Sequence, residues 1–282
     1  MAHPDGPLIR RVVTAWLVAL VVAFALPAAA QDPMPPGTVT LGVPVPGLPR
    51  AGVEFLTRYD FHLSAAALVN DDKRFSWDTH FGGELDAVDY IVGRTSIRID
   101  YGAVLGNELR AFDPNQGNYT LELSTSARSR VAEIAVVFHH KSRHLGDRDK
   151  TVPIAWNLLG VRVLRQASAG PATVEMDLTA GRIVQHSSVD YTWIGDTGLV
   201  VRRPLVPRAG LYVRGVGQFV GVSAAINARG AQAGGLVETG VRLKGEKGAI
   251  DLFLGYERRV DAAPLDRQPQ TWIFVGFRLV GG

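Results

Sequence analysis

The 282-residue chain contains no cysteine, so disulfides, thiol nucleophiles, cysteine metal ligands and a lipid-anchored N-terminal cysteine are all excluded. It also lacks a strong charge of either sign. Lys and Arg total 30 against 27 Asp and Glu, for a net charge of +3, and the basic residues are scattered. That balance gives no basis for a nucleic-acid partner. Beyond residue 30, no apolar run approaches the roughly 20 residues needed to cross a membrane as a helix. An exported chain of this kind that sits in a membrane must do so as a closed β-barrel, the other fold that satisfies every backbone polar group in lipid.

What is present begins with an export signal. Arg10 and Arg11 precede an apolar run from Val12 to Leu26, followed by Ala28-Ala29-Ala30 and the polar Gln31-Asp32. This is the order of a secretory signal peptide, expected over residues 1–30 with cleavage after Ala30. A single membrane anchor is the alternative, for which the run is short. Residues 31–50 carry Pro33, Pro35, Pro36, Pro44, Pro46 and Pro49 and read as an extended periplasmic lead-in. Residues 51–282 remain for one large β domain, the barrel itself, or two small ones.

Period-two alternation recurs through that region. In Val53 to Ser64, Val53, Phe55, Tyr59, Phe61 and Leu63 share one face, with Glu54, Arg58, Asp60 and His62 on the other. A soluble sandwich strand rarely sets so many charges opposite aromatics, so the apolar face is assigned to lipid and the charged face to a lumen. Ser76 to Asp86, Ile91 to Tyr101 and Tyr119 to Ser126 follow as strands, with Ala87-Val88-Asp89 expected as a tight turn and Gly106 to Asn118 as a long loop. The pattern continues to Thr271–Val280. The expected architecture is an all-β, antiparallel transmembrane β-barrel of about 12 strands in the outer membrane, with short periplasmic turns near 88, 128, 169, 206 and 246. Its partners would be membrane lipids, lipopolysaccharide and the barrel-assembly machinery. Lumen positions such as Arg94, Arg98, Glu122, Glu133, Arg162 and Asp177 carry both signs in similar number, predicting a filled interior. Trp77, Trp156, Trp193 and Trp272 lie near predicted strand ends and are expected in an interfacial girdle. The ending Phe277-Arg278-Leu279-Val280-Gly281-Gly282 lacks the terminal aromatic residue common in such barrels, which leaves a secreted β protein as an alternative.

The chemistry concentrates in Val131 to Lys150. Ala132, Ile134, Val136 and Phe138 alternate onto the apolar face, and the same alternation carries His140, Ser142 and His144 onto it. By parity this strand runs outward, so the histidines and serine reach headgroup level. His140 and Ser142 form an i, i+2 pair about 7 Å apart along a strand, on one face. A serine hydroxyl becomes a nucleophile when a base takes its proton, and histidine is the usual base near neutral pH. Asn157, early on the next strand, is the candidate to orient His140; Asp147 and Asp149 compete for that role.

A His-x-Ser pair on the lipid side of a barrel resembles outer-membrane phospholipase A, a twelve-stranded barrel with a Ser-His-Asn site, and is similar to lipid A deacylase. The resemblance implies a lipid acyl hydrolase with Ser142 as nucleophile, His140 as base and Asn157 orienting it. It leaves room for a calcium cofactor and a homodimer. Both families follow the serine with asparagine, where this chain has Arg143-His144. The run His140-Lys141-Ser142-Arg143-His144-Leu145-Gly146-Asp147 resembles the His-x-Ser-x-His-Leu-Gly-Asp signature of an uncharacterised family of bacterial outer-membrane proteins. Two other readings of the residues stay open: a non-catalytic barrel whose polar strand end contacts lipopolysaccharide phosphates, and a narrow channel.

Overall fold

The computed structural model describes residues 52–90, 92–146 and 152–281. The expected signal and lead-in, together with Asp147 and Asp149, lie outside them. Twelve strands follow in order: β1 (Glu54–Val69), β2 (Trp77–Asp89), β3 (Arg94–Gly106), β4 (Asp113–Arg128), β5 (Glu133–Leu145), β6 (Ile154–Ala169), β7 (Ala172–Ser187), β8 (Tyr191–Val206), β9 (Ala209–Val222), β10 (Gln232–Lys244), β11 (Gly248–Arg259) and β12 (Gln270–Gly281). Each pairs antiparallel with its chain neighbour, and β1 pairs with β12 from Phe61–Gly281 to Val69–Ile273, closing the barrel. Closure leaves no strand edge unpaired, which is what lipid demands.

Alternation decides which way each side chain points. On β5, Glu133, Ala135, Val137 and Arg143 are buried inside, whereas Ile134 and Val136 are 51% and 54% exposed outside. On β11 and β12, Leu252, Leu254, Ile273 and Val275 present the same apolar exterior. An apolar outside around a charged inside is the inverse of a soluble barrel. This is an outer-membrane β-barrel, embedded in lipid through its outer face. The turns after β2, β4, β6, β8 and β10 are short and lie at the end that holds the chain termini of the barrel. The loops after β1, β3, β5, β9 and β11 are longer and lie at the other end, the extracellular one.

The interior is laced by ion pairs that join strands beyond immediate neighbours. Arg94 on β3 bonds Glu133 on β5 at 2.8 Å and Asp86 on β2 at 3.0 Å. Arg162 on β6 grips Glu122 on β4 with both terminal nitrogens, and Arg278 on β12 holds Glu238 on β10 at 2.9 Å. Arg58 meets Asp60, Glu84 and Asp86. Of the charges assigned inward from the pattern, Glu54 is the exception: it lies exposed at the start of β1. The β1–β2 register shifts just after it, between Phe55 and Arg58, where Leu56 has φ 52°.

Toward the outer mouth the filling becomes apolar. Leu68, Phe75, Phe253, Trp272 and Phe274 pack with Ala262 and Ala263 of the β11–β12 loop, which folds inward over the opening. Ile154, Trp156, Leu158 and Tyr191 pack with Val260 of the same loop.

Several expectations need correction. Ala87–Asp89 belong to β2, and the residue expected to turn the chain is absorbed by a register shift between Asp86 and Val88. The Asp113-Pro114-Asn115-Gln116-Gly117 stretch is strand rather than loop, with Pro114 beside a shift at Val104/Leu105 that tolerates its missing N–H. Trp156 and Trp272 are not girdle residues: they are 7% and 2% exposed, inside the barrel. Each sits one residue from an outward neighbour, Asn157 and Ile273, so the period of two turns it inward. Trp193 does face out, at 46% exposure.

Candidate lipid-facing site

The β5–β6 register sets His140 directly opposite Asn157, and Ser142 opposite Ala155. β4 lies on the other flank, with Tyr119 opposite Ser142. All four of these polar or aromatic side chains, His140, Ser142, Asn157 and Tyr119, leave the sheet on its outer side, near the extracellular end of their strands.

His140 Nδ1 lies 2.6 Å from Asn157 Oδ1. The Asn157 amide nitrogen donates to Gln185 Oε1 at 2.8 Å, so the asparagine carbonyl is the atom turned to the imidazole. Only a protonated Nδ1 can donate to that oxygen, which leaves Nε2 of the neutral ring as the basic nitrogen. Strand register therefore brings together two of the residues singled out from the sequence and fixes the tautomer of one.

Ser142 is placed differently. Its Oγ lies 3.1 Å from Nε2 of His144, the histidine two residues after it, rather than in a hydrogen bond with His140. The hydroxyl thus sits between two imidazoles on one strand face, one before it and one after. His144 in turn meets the edge of Tyr119, with ring centroids 5.3 Å apart. Tyr119 continues a file of outward aromatics, with Tyr101 at 4.8 Å and Phe81 at 5.5 Å from Tyr101. This file, running across β2, β3 and β4, is the aromatic girdle on this side of the barrel.

The intervening residues of β5 point inward. Arg143 donates to Asn118 Oδ1, Gln116 Oε1 and the main-chain oxygens of Asp261 and Ala262. Its side chain is committed to the lumen and offers no oxyanion donor outside. Lys141 also faces in, 5.9 Å from the Trp156 ring.

Gln185, His144 as a partner of Ser142, and the aromatic file were not singled out from the sequence. Alternation continued past Ala180 would turn Gln185 inward; a register shift between Asn157 and Leu158, which skips Val184, brings it opposite Asn157, and no sequence signal marks that shift. For the file the signal was three aromatics at facing register positions. Among the described residues, the outward groups around Ser142 are imidazoles, amides and a phenol, with no carboxylate beside them. Among the described residues no group of three or more His, Asp or Glu could hold a metal ion.

No protein-family model matches the chain, and no curated protein matches it. Solved structures of similar shape include outer membrane phospholipase A from Escherichia coli, at 14% identity and TM-score 0.49 over 80% of this chain and 97% of that one. The Salmonella typhi outer membrane phospholipase dimer with bound calcium is 13% identical, TM-score 0.47, over 78% of this chain and 90% of its own. The translocator domain of the autotransporter NalP from Neisseria meningitidis is 12% identical, TM-score 0.42, over 82% and 88%. These are likenesses between barrels.

Proposed function

We propose that this outer-membrane barrel hydrolyses acyl esters of outer-leaflet lipids at Ser142. The observation that carries the reading is the His140–Asn157 contact of 2.6 Å on the lipid-facing wall, which holds an imidazole in the tautomer a general base requires, two residues from a hydroxyl on the same face. In the reaction, Ser142 Oγ attacks the acyl carbonyl carbon while an imidazole Nε2 takes its proton. The tetrahedral species collapses as the same imidazolium returns that proton to the leaving alcohol. Water then cleaves the acyl-serine by the reverse sequence of proton transfers. His140 is the base in this scheme, and its Nδ1–H donated to Asn157 keeps the ring oriented as charge develops. The apolar wall beside the site and the girdle of Phe81, Tyr101 and Tyr119 suit a lipid substrate with its chains in the membrane and its ester near the interface.

A second reading has its own observation. Ser142 is hydrogen-bonded to His144, which rests on Tyr119, an arrangement that serves equally as a polar strand end in contact with lipopolysaccharide headgroups.

Acyl release from phospholipid and from lipopolysaccharide by the refolded barrel, with and without calcium, separates the two. Release that Ser142→Ala abolishes, in a protein that still migrates as a folded barrel, supports the hydrolase. No release of fatty acid from either lipid by folded wild-type protein sinks it in favour of the second reading.

A further inference from the structure

Gln185 reaches the lipid-facing wall through an irregularity of β7. Leu158 of β6 pairs with Ile183 and Asn157 with Gln185, so β7 carries one extra residue, Val184, between the two pairs. Ile183 packs inward against the cluster that holds Trp156 and Leu158, whereas Val184 and Gln185 are both exposed. A regular ladder would set Val184 opposite Asn157. Valine has no group that accepts a hydrogen bond, so the bulge is what gives the Asn157 amide a partner beside the site.

A primary amide presents an oxygen and a nitrogen of nearly the same size, so its partners orient it and its shape does not. Gln185 Oε1 accepts from Asn157 Nδ2 at 2.8 Å, and Asn157 Oδ1 lies 2.6 Å from His140 Nδ1. The three side chains form one directed chain across β7, β6 and β5. Taken alone, the two amides satisfy each other equally well when both are reversed, with the imidazole then accepting at Nδ1 and carrying its proton on Nε2. The outer end breaks that tie. Gln185 is exposed near the extracellular end of β7, at headgroup level, where phosphate and ester oxygens accept hydrogen bonds and cannot donate them. The glutamine therefore turns Nε2 to the lipid and Oε1 to Asn157, and each link down the chain follows.

We propose that Gln185 is a positioning residue, which acts through Asn157 to hold the proton of His140 on Nδ1 and so keeps Nε2 free as a base. Its effect on acyl transfer rests on the hydrolase reading above; its effect on the tautomer does not.

Both effects are read on the refolded full chain in dodecylphosphocholine, whose headgroup supplies phosphate oxygens. Long-range proton–nitrogen correlation spectra of isotopically labelled histidine, at about pH 8.5 and so well above the ordinary imidazole value, distinguish the two neutral tautomers. The His140 signals are those missing from His140→Ala. In the wild type His140 is expected as the Nδ1–H form. Gln185→Leu, apolar like the wall around it, should give a mixture with Nε2–H and a kcat lowered roughly tenfold at unchanged KM. Gln185→Met should match it, and Gln185→Glu, which keeps an acceptor oxygen, should keep the wild-type tautomer. Heat-modifiable migration on gels establishes that each variant is folded. A wild-type Nε2–H ring, or a His140 tautomer unmoved in folded Gln185→Leu and Gln185→Met, overturns the proposal. A tautomer that moves as expected in a barrel that releases no fatty acid sustains it and sinks the hydrolase alone.

Discussion

The guanidinium of Arg143 donates to the main-chain oxygen of Ala262 at 2.8 Å, across 119 residues of chain. It reaches the neighbouring Asp261 carbonyl at 2.6 Å as well, so one side chain from β5 pins the β11–β12 loop into the mouth of the barrel. The strand that shows His140 and Ser142 to lipid thus closes the lumen with the residue between Ser142 and His144. Arg143→Met removes these donors and leaves buried carbonyls with fewer partners. A hydrogen bond from a charged donor contributes on the order of 2 kcal/mol, so the loop should open roughly 30-fold more often. Tryptic cleavage after Arg267, within that loop, should accelerate by about that factor while the barrel keeps its heat resistance. Cleavage at the wild-type rate would show that the apolar packing of Ala262 and Ala263 holds the loop unaided.

The same loop is tied down outside the membrane by Arg229, which bonds Asp190 at 2.7 and 2.8 Å and Asp261 at 2.7 Å. Burial alone pushes the Asp190 carboxyl up, but the hydrogen bonds and charge of Arg229 outweigh it and hold the group below the usual carboxylate range. A carboxyl whose folded value is depressed contributes stability that is complete above its unfolded value, near 3.9, and is lost as pH falls through the folded value. Amide exchange of residues 188–190 and 260–269, corrected for its intrinsic pH dependence, should stay constant from pH 7 to about 5 and then speed up below about 4. Asp190→Asn should be faster at neutral pH and flatter across the acid range. An identical acid response in that variant would assign the transition to another group.

Within the lumen, Arg162 bonds both oxygens of Glu122, at 2.5 and 2.7 Å, and lies 3.3 Å from Asp177. Arg162→Met would leave two buried carboxylates short of a counter-charge. Breaking one side of a buried pair costs about 3–5 kcal/mol; Arg98, 3.7 Å from Glu122, should keep the loss near the lower figure. Replacing Glu122 by Gln as well should recover part of it, which guanidinium unfolding of the four-member mutant cycle reads directly. Strict additivity would mean that the pair is screened by water inside the barrel.

Much of this was legible in the residues because a barrel wall has a period of two, and each side chain's face follows from parity. The strand number, the extracellular end of β5, the inward Arg98 and Glu133 and the opposition of His140 to Asn157 all rest on that rule. It failed where a second signal was allowed to override it. Trp156 and Trp272 read as girdle residues because tryptophan favours interfaces, although their parity turns them in. Asp113 to Gly117 reads as a loop by composition, and register irregularity beside Pro114 lets it pair. The inward fold of residues 260–269 had no periodic signature, since it depends on a cavity that exists only after closure. Which histidine meets Ser142 was equally hidden: His140 and His144 share its face and lie at equal spacing, and only side-chain rotamers choose between them.

That choice leads to the sharpest test of the hydrolase. With His140 as base, Asn157→Ala should lower kcat roughly 10- to 100-fold with little change in KM, because the asparagine acts on the imidazole and does not hold the lipid. His140→Ala should remove activity to a similar or greater degree, and His144→Ala should cost only a few-fold. If His144 takes the proton instead, the order inverts: His144→Ala abolishes acyl release, and Asn157→Ala is nearly silent. Initial rates on a single phospholipid in mixed micelles, with kcat and KM resolved for each variant, distinguish the two.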